Sequence, residues 1–152
     1  MWQLTTAVKT GLRMMVRLAQ EPAGRPLSAA GLARELGVSP PYLEQLSLPL
    51  RRAALVRSVR GTRGGFVLAR PAEAITVGEI VAAFEGPGPV CGCREPDCRD
   101  CLHPEFWQAL ESCWEWELGG VTLARFAQAT PLEPTHAPTV PVWPLWEQGA
   151  GI

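Results

Sequence analysis

Apolar and polar positions follow a helical period most clearly between residues 39 and 54. Tyr42, Leu43, Leu46 and Leu50 recur at spacings of three and four and form one apolar stripe, while Glu44, Gln45, Ser47 and Arg51 fall off it. Ser39 is a suitable N-cap, and Pro40 and Pro41 suit a first turn whose amides would be unpaired in any case. The pattern predicts a helix from Pro40 to Ala53 or Ala54, kinked or restarted at Pro49, which cannot donate to the carbonyl of Gln45. Upstream, Ser28 caps a short helix with Leu32, Ala33 and Leu36 on one face and Gly37 as its stop. Downstream, Leu55–Arg60 and Phe66–Ala69 are two strands joined by the turn Gly61-Thr62-Arg63-Gly64-Gly65.

The remaining stretches frame these. Residues 1–20 place Val8, Leu12, Met15, Val16 and Ala19 on one helical face, with Lys9, Arg13 and Arg17 stacked beside it. That basic stripe suits DNA phosphates and water equally well. Thr76 and Glu79 form a capping box opening a helix that buries Val77, Ile80, Val81 and Phe84. Gly86-Pro87-Gly88-Pro89 ends it. Phe106, Trp107, Leu110, Cys113, Trp114 and Leu118 then mark a further helix, ended by Gly119-Gly120, and a short helix is expected over Val121–Ala129. Few other long helices are available to cover the aromatic stripe, which implies burial against a second copy of the chain. Prolines 131, 134, 138, 141 and 144 predict an extended tail carrying Trp143 and Trp146.

Helix, three-residue turn, helix and basic hairpin, in that order, build a winged helix-turn-helix. The alternative, a small α+β core with an ordinary hairpin, leaves the order and lengths unexplained. The expected fold is therefore mainly α with a small β-hairpin wing, followed by a long dimerisation helix. Residues 1–85 form the DNA-binding domain, 86–102 a cysteine-rich sensor loop, 103–130 the dimerisation and terminal helices, and 131–152 the tail. Charge sharpens this division. Residues 1–83 hold 11 Lys/Arg against 5 Asp/Glu, net +6, and residues 84–152 hold 3 against 10, net −7. A basic front half suits double-stranded DNA, and a dimer suits a two-fold operator. Candidate DNA-binding residues are Ser39, Pro40, Pro41, Tyr42, Glu44, Gln45 and Arg51 on the second helix and Arg60, Thr62 and Arg63 on the wing. Gln45 is able to pair with adenine and Glu44 to accept from cytosine, while Arg60 and Arg63 suit phosphate or the minor groove.

No stretch supplies the roughly 18 apolar residues of a membrane span, and no secretory signal pattern opens the chain, so a cytoplasmic protein is expected. The segment Cys91-Gly92-Cys93-Arg94-Glu95-Pro96-Asp97-Cys98-Arg99-Asp100-Cys101 gathers four thiols that could converge on one metal. Such soft ligands suit zinc or an iron–sulfur centre. Cys98-x-x-Cys101 also fits a thiol oxidoreductase, but no βαβ pattern precedes it and no nucleophile, base and orienter assemble elsewhere. Gly61–Gly65 joins two strands and lacks a trailing Lys-Ser/Thr, so it is no nucleotide loop.

Tyr42-Leu43-Glu44-Gln45-Leu46, Leu50-Arg51, Leu55-Val56-Arg57-Ser58-Val59-Arg60-Gly61, Gly64-Gly65-Phe66, Leu68-Ala69-Arg70-Pro71 and Ile75-Thr76-Val77-Gly78-Glu79-Ile80 resemble the IscR/NsrR-type regulators, the Rrf-two family of winged-helix transcription factors. The likeness spans about residues 3–128. Ala54 stands where that family usually has glycine, which tightens the helix exit. The resemblance implies a homodimeric regulator, repressor or activator, whose cysteine loop holds an iron–sulfur cluster, 2Fe–2S first, and senses iron, redox state or nitric oxide. Cys101, six residues before Trp107, matches the last of the family's three loop cysteines, with Cys93 and Cys98 as the others. The 98-to-101 spacing is tighter than usual and Cys91 is a surplus. The fourth ligand is Cys91 or His103; the family's alternative, an acidic residue in the first helix, is Lys9 here. Cys113 is expected at the dimer seam. The alternative is the same regulator with a zinc site or a thiol/disulfide switch, and a thiol-redox enzyme is the least favoured reading.

Overall fold

Helix α1 (Thr6–Ala19) packs against five other elements, in a computed structural model that describes residues 4–61, 64–86 and 104–128. Thr5 caps it, its hydroxyl accepting from the Val8 amide at 3.3 Å. Val8, Thr10, Gly11, Leu12, Met14, Met15 and Leu18 are buried, whereas Val16 and Ala19 are half-buried. The buried band is wider than the single face the spacing predicts. The reason is that α1 touches α4 (Val77–Glu85) and α6 (Leu123–Ala127), and also α2 (Ala29–Leu36), α3 (Pro40–Arg52) and the wing. A helix packed on several sides buries residues beyond its most apolar face.

The wing pairs β1 (Val56–Val59) with β2 (Gly65–Leu68) antiparallel, Val56 opposite Leu68 and Val59 opposite Gly65. Its far edge is not bare. Leu27 exchanges backbone hydrogen bonds with Phe66, at 3.0 and 2.8 Å, so the segment entering α2 is fastened to β2. Gly65 permits this approach, since a Cβ there would overlap the Leu27 carbonyl. A 3₁₀ turn (Ala72–Ala74) leads into α4, whose capping box is formed on both sides by Thr76 and Glu79. Val77, Ile80 and Val81 are buried as expected. Phe84 is only half-buried, and its ring fills the space a Cβ at the buried Gly11 of α1 would occupy.

Helix α5 (Pro104–Gly119) packs on α4, and the chain then returns to the core. The Val77 amide donates to the Val121 carbonyl at 2.9 Å and the Leu123 amide to the Ile75 carbonyl at 2.7 Å. Leu123 is fully buried together with Leu43, Leu50, Leu55, Ile75 and Ile80. No residue of α5 is buried. The aromatic stripe read from its spacing divides: Trp107, Cys113, Trp114 and Leu118 are half-buried, while Phe106 and Leu110 are exposed. No helix among the described residues is long and apolar enough to cross a membrane. The cysteine segment, Thr62, Arg63, His103 and the proline-rich tail lie outside the described residues.

Candidate nucleic-acid interface

Ser28 opens α2 by accepting from the Gly31 amide at 3.1 Å. At its end the Gly37 amide donates to Arg34 and the Val38 amide to Ala33, with Gly37 in the left-handed region at φ 69°. Two residues later Ser39 caps α3, its hydroxyl accepting from the Tyr42 amide at 3.4 Å, and Pro40 and Pro41 fill the first turn. The predicted helix, turn and helix are therefore present, and α2 packs on α3.

Two expectations about α3 need correction. The helix does not restart at Pro49 but runs on to Arg52, with the Ala53 amide donating to the Pro49 carbonyl at 3.0 Å. One missing amide near the last turn removes a single bond, and the leucines before and after it keep the helix on the core. Ser47, placed off the apolar stripe by its chemistry, is fully buried with Leu43, Leu46 and Leu50. Its hydroxyl donates to the Glu44 carbonyl at 2.7 Å, which satisfies it without water. Tyr42, assigned to the stripe, is half-buried at its edge.

The opposite face of α3 is open. Pro40, Pro41, Glu44, Gln45, Leu48, Arg51 and Arg52 are all exposed. Among the described residues the side chains of Glu44, Gln45, Arg51 and Arg52 hold no hydrogen bond or ion pair. Leu48 and Arg52 were missed by reasoning from residue chemistry. The helical period would have found them, since each lies opposite the buried leucines. Arg57, Ser58 and Arg60 are exposed on the wing.

Of the basic stripe on α1, Lys9 and Arg13 remain exposed but Arg17 is occupied. It bonds Glu21 at 2.7 Å and Glu35 at 2.6 Å, tying α1 to α2. The hydrogen bonds it donates to Glu21 and Glu35 raise its pKa. A similar clamp holds the wing to α4, where Arg70 bonds Glu79 at 2.6 Å and the Ala74 carbonyl at 3.1 Å. Burial opposes the charge on Glu79, but Arg70 and the Thr76 amide outweigh it and lower its pKa. These paired arginines tie α1 to α2 and the end of the wing to α4, whereas Arg51 and Arg52 of α3 are exposed and unpaired among the described residues.

Comparison with known proteins agrees with this geometry. The family model described as Rrf2, iron-dependent transcriptional regulator, matches residues 4–129. The chain is 42% identical over 128 residues to the HTH-type transcriptional regulator CymR of Bacillus subtilis, covering 84% of this chain and 91% of that protein. The solved structure of B. subtilis CymR, described as the global cysteine regulator, is similar with a TM-score of 0.65 at 36% identity, over 86% of this chain and all of that one. The structure of T. potens IscR is similar with a TM-score of 0.67 at 33% identity, over 86% of this chain and 94% of that one. With the helix-turn-helix and wing in place and most of its length matched, this chain belongs to the Rrf2 family and is a winged-helix transcription regulator, not an enzyme.

Proposed function

We propose that this regulator works in the cytoplasm as a homodimer, sets α3 of each subunit in the major groove of a two-fold symmetric operator, and carries an iron–sulfur cluster on its cysteine segment. The observation that carries the DNA reading is the outer face of α3, where Glu44, Gln45, Arg51 and Arg52 are exposed and uncommitted. Ser39, Pro40, Pro41 and Tyr42 would bring the start of that helix to the bases, and Arg60, Thr62 and Arg63 would hold the wing on the backbone. Replacing Arg60 by Ala should weaken binding to every sequence and lower the salt slope by about one. Glu44→Ala should instead shift base preference. Unchanged binding in both variants would count against the assignment.

The donor set fits the cluster. Cys91, Cys93, Cys98 and Cys101 supply four thiols within eleven residues, with His103 as the alternative fourth ligand. The iron-dependent description of the family and the likeness to IscR support a 2Fe–2S centre. When bound, such a cluster supplies sensitivity to iron, redox state or nitric oxide; the chain's own part is to hold it beside the start of α5. A second reading keeps the regulator and makes the cysteines a zinc site or thiol switch, since the same thiols suit zinc or a disulfide. A visible absorption spectrum of anaerobically purified protein, with metal analysis, separates the two. Coloured, iron-loaded protein supports the cluster, and colourless protein the second reading.

A further inference from the structure

Leu48 is 44% exposed on a helix whose other leucines are buried. It lies four residues after Glu44 and three after Gln45, and three and four before Arg51 and Arg52, so helical spacing sets it in the middle of the open face. Its neighbour Ser47 is fully buried, with its hydroxyl spent on the Glu44 carbonyl. Hydrophobicity alone favours the reverse order, leucine inside and serine outside. Packing among the described residues therefore gives no account of Leu48.

A partner outside the chain does. The four surrounding side chains are polar or charged and uncommitted, with two arginines against one glutamate, which complements a polyanion. On the floor of the major groove the C5-methyl of thymine is the apolar group that base edges offer. We propose that Leu48 is a specificity residue that packs on the C5-methyl of one thymine in each operator half-site, between the bases reached by Glu44 and Gln45. This rests on α3 being the reading helix. The apolar side chain fills the space a hydrogen-bonding residue would leave wet, so it favours thymine and disfavours bases that present a polar edge there.

The test starts by selecting duplexes from a random pool with the full-length protein. Each thymine of a selected duplex is then replaced by deoxyuridine, which keeps the pairing and removes only the methyl group. Affinities of wild type and Leu48→Ser are measured by fluorescence anisotropy at one salt concentration. At one thymine per half-site the wild type should lose about three- to fivefold in affinity per methyl removed, the scale expected for one buried methyl. Leu48→Ser should bind the thymine and deoxyuridine duplexes equally, with an unchanged circular-dichroism melt. A wild type indifferent to every replacement, or a Leu48→Ser variant as sensitive as wild type, would overturn the proposal while leaving α3 as the reader. A pool that yields no enriched duplex would overturn the DNA reading itself, and this proposal with it.

Discussion

Ala54 and Gly37 occupy equivalent places at two helix exits. After α3 the Ala54 amide donates to Arg51 at 3.1 Å and the Leu55 amide to Leu50 at 2.9 Å, the same two-bond closure that Gly37 and Val38 make after α2. Both residues are left-handed, φ 69° at Gly37 and 54° at Ala54, and Ala54 is the one non-glycine residue with positive φ among those described. A Cβ makes that conformation costly by about 1–2 kcal/mol, partly offset because glycine loses more entropy on folding. Ala54→Gly should therefore stabilise the protein by about 0.5–1 kcal/mol and raise the melting temperature by a few degrees. A thermal melt showing lower stability would refute the account. The closure also directs the chain from α3 into β1. The strain thus lies at the joint between the two candidate DNA-contacting elements, and relieving it should leave operator affinity unchanged.

At the scale of elements, start and stop signals were readable wherever they are local. Ser28, Ser39 and the Thr76–Glu79 box each cap the helix expected of them, because a cap depends on residues within one turn. What depends on neighbours distant in sequence was not readable. Met14 and Leu18 are buried because α1 is covered from several directions, and Arg17 left the basic stripe because Glu35 of α2 reaches it. Ser47 is buried through a backbone hydrogen bond that its residue type does not advertise. The exposure of Pro40, Pro41, Glu44, Gln45 and Arg51 was legible from period and chemistry together, whereas that of Leu48 was not, because a leucine is expected to be core.

Helix α5 shows the same limit and leads to a prediction. Four of the six residues of its apolar stripe are partly covered within the chain, whereas Phe106 and Leu110 are exposed, 41% and 43%, one turn apart. If they meet the partner subunit, Leu110→Glu should weaken the dimer without touching the core. Loss of a buried leucine contributes about 1.5–3 kcal/mol and occurs once in each subunit, so the dimer dissociation constant should rise by tenfold or more. Sedimentation equilibrium measures this. An unchanged dimer would move the interface elsewhere, and a lowered melting temperature of the monomer would show that Leu110 serves the fold instead.

At the scale of the whole molecule, packed elements run from α5, which follows the cysteine segment in sequence, to α3. Residues 87–103 link α4 to α5; α5 packs on α4, and α4 on both α1 and α3. The Val77–Val121 and Ile75–Leu123 hydrogen bonds fasten the chain beyond α5 to the entry of α4, and the start of α5 is the end that continues from the cysteine segment in sequence. If Cys93, Cys98 and Cys101 are cluster ligands, serine at any one should give colourless or quickly bleaching protein, because each loss opens a coordination position. Cys113→Ala should keep its colour, since Cys113 lies within α5, twelve residues beyond Cys101. Cys91→Ser should bleach and His103→Ala should not if Cys91 is the fourth ligand; the reverse pair transfers that role to His103. A cluster that orders the segment would fix where α5 begins, and with it the spacing of the two reading helices in a dimer. Operator affinity of anaerobic holo-protein should then differ from that of apo-protein at the same salt concentration. Equal affinities would make the cluster a structural staple, and the sensing role would fall even with the colour present.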